Sequence, residues 1–163
     1  MKMLVVYYSL EGNTKFVAEK IAEQTGAEML CLEPKKAYPD GKVTKYFWGG
    51  RSAIMGEAPK LKPYNVELSA YEMIVLGTPV WASTFTPPLR SFLENHKEEL
   101  KEKKVAFFAC SAGGNAEKCF ENLRREMGIS EGVISLSLTD PKWKQAEENL
   151  LLIKEFCKKI KEI

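Results

Sequence analysis

Histidine is almost missing from this chain: His96 is the single copy. With no partner histidines and no carboxylate cluster, no metal site is expected. His96 falls late in a helical stretch among Glu and Lys and reads as a solvated residue near a helix C-terminus. Cysteine is sparse as well. Cys31, Cys110, Cys119 and Cys157 form no Cys-x-x-Cys pair, which excludes a zinc ribbon and a thioredoxin motif, so the thiols read as small apolar residues. No apolar run approaches the ~20 residues of a membrane-spanning helix. Met1-Lys2 leads straight into a strand pattern, so a cytoplasmic protein without a membrane partner is expected. Neither sign of charge is in excess: 24 Lys and Arg against 22 Asp and Glu leave +2, which gives nucleic acid nothing to favour.

What is present is a sizeable apolar fraction, 45% of 163 residues, enough for one compact α/β domain spanning 1–163. Its organising stretch runs from Met3 to Phe16. A β-branched and aromatic run, Met3–Tyr8, stops at the polar loop Ser9-Leu10-Glu11-Gly12-Asn13-Thr14, and a helical pattern starts at once and continues to Thr25. Strand, tight loop and helix N-terminus together suit a phosphate. Loop N–H groups and the positive end of the helix converge, Ser9 and Thr14 add hydroxyl donors, and Gly12 removes a Cβ from the approach. The loop has no Gly-x-x-x-x-Gly-Lys-Ser/Thr and no Gly-x-Gly-x-x-Gly, which disfavours Mg-ATP and dinucleotides. It also lacks the clustered aspartates of a phospho-acceptor domain. Hydroxyls and amides without lysine or magnesium fit a phosphomonoester such as FMN; an ordinary strand–helix turn with an N-cap remains the alternative at this point.

Taken in order, the remaining segments repeat the same alternation. Strand patterns cover Glu28–Glu33, Met73–Gly77, Lys104–Cys110 and Val133–Leu138. Helical patterns follow Thr86-Pro87, with Thr86 as N-cap, then Asn115 through Met127, and finally Asp140-Pro141 to the end. A further helix is expected over Gly41–Ile54, weakened by Gly49-Gly50; Tyr46, Phe47 and Trp48 read as helix packing, with a place for Trp48 at a ligand mouth as the alternative. The segment 35–62 is basic, through Lys35, Lys36, Lys42, Lys45, Arg51, Lys60 and Lys62, and reads either as solvated surface or as a docking face for an acidic partner or a phosphorylated cofactor. Alternating strands and helices predict an α/β, doubly wound, five-stranded parallel sheet with helices on both faces. Ligands bind such sheets outside the carboxyl ends of the strands, where loops 9–14, 78–86 and 110–115 gather Ser, Thr, Gly and Asn.

These loops carry a resemblance. Ser9-Leu10-Glu11-Gly12-Asn13-Thr14, Gly77-Thr78-Pro79-Val80-Trp81, Thr86-Pro87-Pro88-Leu89-Arg90-Ser91-Phe92-Leu93 and Ser111-Ala112-Gly113-Gly114-Asn115 resemble, in order and spacing, the flavodoxins. The resemblance implies a flavodoxin-like sheet of order 2-1-3-4-5 and one non-covalent FMN. It would put the phosphate on Ser9, Glu11, Gly12, Asn13 and Thr14. The ribityl chain and ring would pass Thr78, Pro79 and Val80, with Trp81 against a flavin face. Ser111, Ala112, Gly113, Gly114 and Asn115 would face the pyrimidine end.

Two positions depart from the family pattern. Where flavodoxins have a glycine whose peptide flips to accept the flavin N5 hydrogen, this chain has Ala82, for which a positive-φ turn is harder to reach. Residues 111–115 lack the aromatic that often covers the outer flavin face. Both departures suit hydride transfer better than one-electron steps. The leading reading from the loops together is nonetheless an FMN-binding electron-transfer protein with no catalytic side chain of its own, a monomer or weak homodimer serving a redox partner protein or NAD(P)H. The alternative is an FMN-dependent NAD(P)H oxidoreductase passing hydride to a quinone, flavin or similar acceptor. A non-redox module that merely kept the fold is the third.

Overall fold

The structure is a computed structural model that describes residues 1–39, 49–113, 116–130, 132–144 and 146–163. Five strands form one sheet: β1 Met3–Tyr7, β2 Glu28–Cys31, β3 Met73–Pro79, β4 Lys104–Ser111 and β5 Ile134–Thr139, in the order β2-β1-β3-β4-β5. Every pairing is parallel. Among the described residues the alternation is completed by the helices α1 Asn13–Thr25, α2 Pro87–Asn95, α3 Ala116–Met127 and α4 Ala146–Lys161, beside short helical pieces at 49–54, Leu68–Ala70 and Lys97–Leu100. No helix among the described residues is long and apolar enough to cross a membrane.

Residues of the central strands are apolar at nearly every position because both sheet faces are covered. Alternate side chains go to opposite sides. Leu4, Val6, Ile74, Leu76 and Phe107 pack with Leu89 and Phe92 of α2 and Phe120 and Leu123 of α3. Val5, Val75 and Phe108 pack instead with Val17 and Ile21 of α1 and Ile153, Phe156 and Ile160 of α4. This division puts α1 and α4 side by side on one face, so the loop entering α4 comes near the loop entering α1. The edge strand β2 is mostly exposed.

Several local expectations change. The last helix starts at Ala146, not at Asp140-Pro141: Asp140 has φ 41°, and its carbonyl accepts the N–H groups of Trp143 (3.0 Å) and Lys144 (2.9 Å), which closes a separate turn before the helix. Thr86 precedes α2 but does not cap it with its side chain. Pro88 lacks one of the N–H groups a cap would reach, and the Thr86 hydroxyl lies 3.2 Å from that of Thr78. His96 is not solvated: its side chain is 15% exposed, Nε2 is 3.0 Å from the Tyr64 hydroxyl and Nδ1 is 2.8 Å from Glu99. Of the helix expected over 41–54, residues 49–54 are helical, and 40–48, including Trp48, lie outside the described residues. Within the basic segment, Lys62 is paired with Glu33 at 2.5 Å.

Candidate functional site

The carboxyl ends of β1, β3 and β4 surround a cavity of about 310 Å³. Ser9, Glu11, Asn13, Thr14, Pro79, Val80, Trp81, Ala82, Ser111 and Ala112 line it, joined by Leu10, Gly50, Ser83, Cys110 and Asp140. Three sequence segments far apart in the chain thus share one wall, because parallel strands deliver all their C-terminal loops to the same edge.

At the β1–α1 loop the backbone turns at Gly12, with φ 94°, and Phe16 donates the first helical bond to the Gly12 carbonyl at 2.9 Å. No side chain caps this helix. Ser9 Oγ accepts the Gly12 N–H at 3.1 Å, which leaves the hydroxyl proton free to donate elsewhere. Thr14 is 1% exposed, yet its Oγ1 has no hydrogen-bond partner among the described residues. The Cys110 thiol faces it without reaching hydrogen-bond geometry. Burial pushes that thiol up to about 12, the Thr14 hydroxyl opposes the rise and the Asp140 carboxylate adds to it, so Cys110 is a neutral wall residue at physiological pH. A buried hydroxyl without a partner costs about 1–3 kcal/mol, and its place at a helix N-terminus calls for an acceptor from outside the chain.

The loop after β3 is stitched internally. Thr78 is fully buried and does not line the cavity. Its hydroxyl donates to the Pro79 carbonyl (2.8 Å) and accepts the Thr86 N–H (3.1 Å), which closes the base of 78–86. Val80 N–H donates to the Cys110 carbonyl at 2.9 Å, tying this loop to the end of β4. Trp81 is half-buried and meets Tyr8 (centroids 5.6 Å) and Tyr38 (5.1 Å) edge-on. A Cβ on Gly49 would come within 3.0 Å of the Trp81 ring, so that glycine makes room for the indole. Trp81 therefore serves the aromatic packing and the cavity wall together.

The tip of this loop is a two-residue hairpin closed by Trp81 N–H to Thr84 O (2.9 Å) and Thr84 N–H to Trp81 O (3.0 Å). Ala82 has φ 49° and Ser83 φ 63°. Ala82 does adopt the left-handed conformation that the sequence made an obstacle. Both central residues at positive φ make a type I′ turn, for which Asn-Gly is the preferred pair. Left-handed φ costs a non-glycine residue ~1 kcal/mol. Replacing the pair by Asn-Gly (A82N/S83G) should therefore raise unfolding stability by about 1 kcal/mol. The check is the urea midpoint at unchanged slope; an unmoved midpoint would mean the turn is relaxed as it stands.

Of the remaining expected site residues, Gly12 shapes the loop from beneath and Gly113, φ 124°, sits outside the lining. Gly114 and Asn115 lie outside the described residues. Missing from the expectation was the β5–α4 loop. It arrives at the same edge with Asp140, whose N–H donates to the Ser111 carbonyl at 2.9 Å and whose carboxylate pairs with Lys144 at 2.9 Å. Lys142 N–H donates to Asn13 Oδ1 at 3.1 Å, which fixes the Asn13 carbonyl away from ligand duty. Four strand ends meet at this edge, and a count of four loops instead of three was the available signal. Among the described residues no group of three His, Cys, Asp or Glu is placed to hold a metal.

A family model described as Flavodoxin matches residues 2–137. A flavoprotein from Lactobacillus acidophilus, solved in complex with FMN, is 25% identical, with 90% of this chain and 97% of that one covered at a TM-score of 0.72. A solved Bacteroides uniformis chain is 24% identical over 94% of this chain and 97% of its own, at 0.73. The two-electron reduced flavodoxin of Megasphaera elsdenii is 17% identical over 96% and 99%, at 0.60.

Proposed function

This chain belongs to the flavodoxin family, an FMN-binding family of flavoproteins, and on that premise we propose that it carries electrons through a non-covalently held FMN. The observation that supports an FMN site here is the unpartnered hydroxyl of Thr14, a residue 1% exposed at the N-terminus of α1 that belongs to the cavity lining. A phosphomonoester brings the acceptor oxygens that hydroxyl lacks, at the end of a helix whose dipole favours an anion. The residues present therefore fit the group. FMN, when bound, supplies the redox chemistry by taking up and releasing electrons.

The chain's own residues hold and orient it. Ser9 and Thr14 donate O–H groups toward the phosphate, joined by the first N–H groups of α1, which have no partner within the helix. Trp81, fixed edge-on by Tyr8 and Tyr38, offers an apolar wall that excludes water from one side of the cavity. Cys110, neutral at physiological pH, contributes wall and no nucleophile. Nothing in this set has to act as acid or base, which suits a carrier that exchanges electrons with a protein partner.

One observation favours a second reading, an NAD(P)H-dependent FMN oxidoreductase acting on a quinone, flavin or similar acceptor. Rotating the Ala82–Ser83 peptide would turn type I′ into type II′, which reserves its first central position for glycine. Ala82 thus holds the turn in one form and removes a device by which a carrier favours single-electron steps. Anaerobic potentiometric titration of the FMN-loaded chain, followed by addition of NADPH, separates the two. The carrier reading expects two resolved one-electron waves and no bleaching by NADPH. A single two-electron wave with direct bleaching would replace it by the oxidoreductase.

A further inference from the structure

We propose that Lys142 is a further binding residue of this site, its ammonium supplying the positive charge that pairs with the FMN phosphate across the β1–α1 loop. The inference rests on the FMN reading and adds to it a residue from an element that the phosphate loop does not contain.

Lys142 lies directly beside the loop. Its Nζ stands 3.3 Å and its Cδ 3.8 Å from where a Cβ on Gly12 would be, so the lysine stem runs past the one loop residue without a side chain. Its backbone N–H is bonded to Asn13 Oδ1, which anchors residue 142 to the first residue of α1. The Asp140-to-Lys144 turn presents it there: Asp140 is tied to the end of β4, and its carboxylate is taken by Lys144. The Lys142 ammonium sits 4.7 Å from the centroid of the Trp143 ring and forms no ion pair among the described residues. A cation without a counter-ion among the described residues thus stands over Gly12, two positions before Thr14, whose buried hydroxyl has no acceptor.

One ligand chemistry answers both. A phosphomonoester carries about −1.5 to −2 charge at neutral pH and offers acceptor oxygens only. The helix N-terminus offsets roughly half a charge, which leaves an excess that a lysine at the rim can balance. Because Lys142 is solvent-exposed, its contribution is screened by salt.

The test uses Lys142→Gln, which keeps the backbone N–H to Asn13, and Lys142→Arg, which keeps the charge. Dissociation constants of the cofactor-free full chain for FMN and for riboflavin, which lacks the phosphate, are measured by flavin fluorescence quenching at low and high ionic strength. At low salt, Lys142→Gln should weaken FMN about tenfold, at the lower end for a charged hydrogen bond because the site is exposed. Riboflavin should be unaffected, the salt dependence of FMN binding should flatten, and Lys142→Arg should retain most of the affinity. An unchanged FMN constant in Lys142→Gln overturns the proposal, as does equal weakening of FMN and riboflavin. If the wild-type chain takes up no FMN at all, the FMN reading itself falls, a result distinct from either.

Discussion

Thr14→Val should make the cofactor-free chain more stable and its hold on FMN weaker, two effects of opposite sign from one atom. Valine has nearly the same shape, so the change removes a hydroxyl and leaves the packing. In the cofactor-free chain Thr14 Oγ1 is buried and unpartnered, and deleting such a group should return about 1 kcal/mol of stability. Only the poorly placed Cys110 thiol loses a neighbour. On the proposed reading the same hydroxyl donates to a charged phosphate oxygen when FMN is present, a bond worth about 1.5–3 kcal/mol. The dissociation constant should accordingly rise by roughly 10- to 150-fold. Thermal unfolding with and without saturating FMN reads both signs in one experiment, because ligand stabilisation follows the dissociation constant. A variant less stable without FMN, or one that binds it as tightly as wild type, would mean the hydroxyl serves packing.

Gly77→Ala should be among the most damaging single-methyl changes in the sheet. Gly77 in β3 lies opposite Phe108 in β4, and an added Cβ would come within 2.1, 2.4 and 2.7 Å of three Phe108 ring carbons. Phe108 is fully buried among the side chains that face α1 and α4, so its ring has nowhere to go. Overpacking of this severity should cost about 3 kcal/mol. The damage should reach the site, because the Gly77 carbonyl accepts the Tyr8 N–H at 3.3 Å, just before the β1–α1 loop, and Thr78 follows directly. Shortening the opposing ring should relieve it. Gly77→Ala/Phe108→Leu is expected to be more stable than the sum of its single variants by about 2 kcal/mol in a urea double-mutant cycle. Additive singles would show that the glycine is needed for its backbone alone.

Gly77 also marks what could be read without coordinates. The strand–helix alternation and the gathering of loops at one edge were legible because Met73-Ile74-Val75-Leu76 is continuously apolar and the turn residues fall at regular intervals, whereas the sheet order came only from the resemblance of the loop motifs. Ser9, Thr14, Trp81 and Ser111 meet at one cavity for the same reason. That the ring of Phe108 lies on Gly77 depends on register, which apolar runs do not specify. Thr78 looked like a lining residue because it follows the strand, but its hydroxyl is committed to Pro79 and Thr86. His96 looked solvated among charges, whereas Tyr64, from the segment ahead of β3, comes back to meet it. Lys142 escaped notice because Asp140-Pro141 has the composition of a helix start, while the left-handed Asp140 delays the helix and swings the lysine over Gly12. In each case a long-range contact decided what local composition left open.

The central claim is that the β1–α1 loop is a preformed phosphate cradle whose hydroxyls are kept for the cofactor. Backbone amide NMR of the cofactor-free chain, titrated in parallel with FMN and with riboflavin, tests it most directly. The account predicts that FMN shifts the amides of Ser9 to Thr14 together with those of Val80 to Ala82 and Ser111 to Ala112, whereas riboflavin shifts the latter groups and leaves 9–14 in place. Phosphate-dependent shifts centred elsewhere, or identical responses to both flavins, would contradict it.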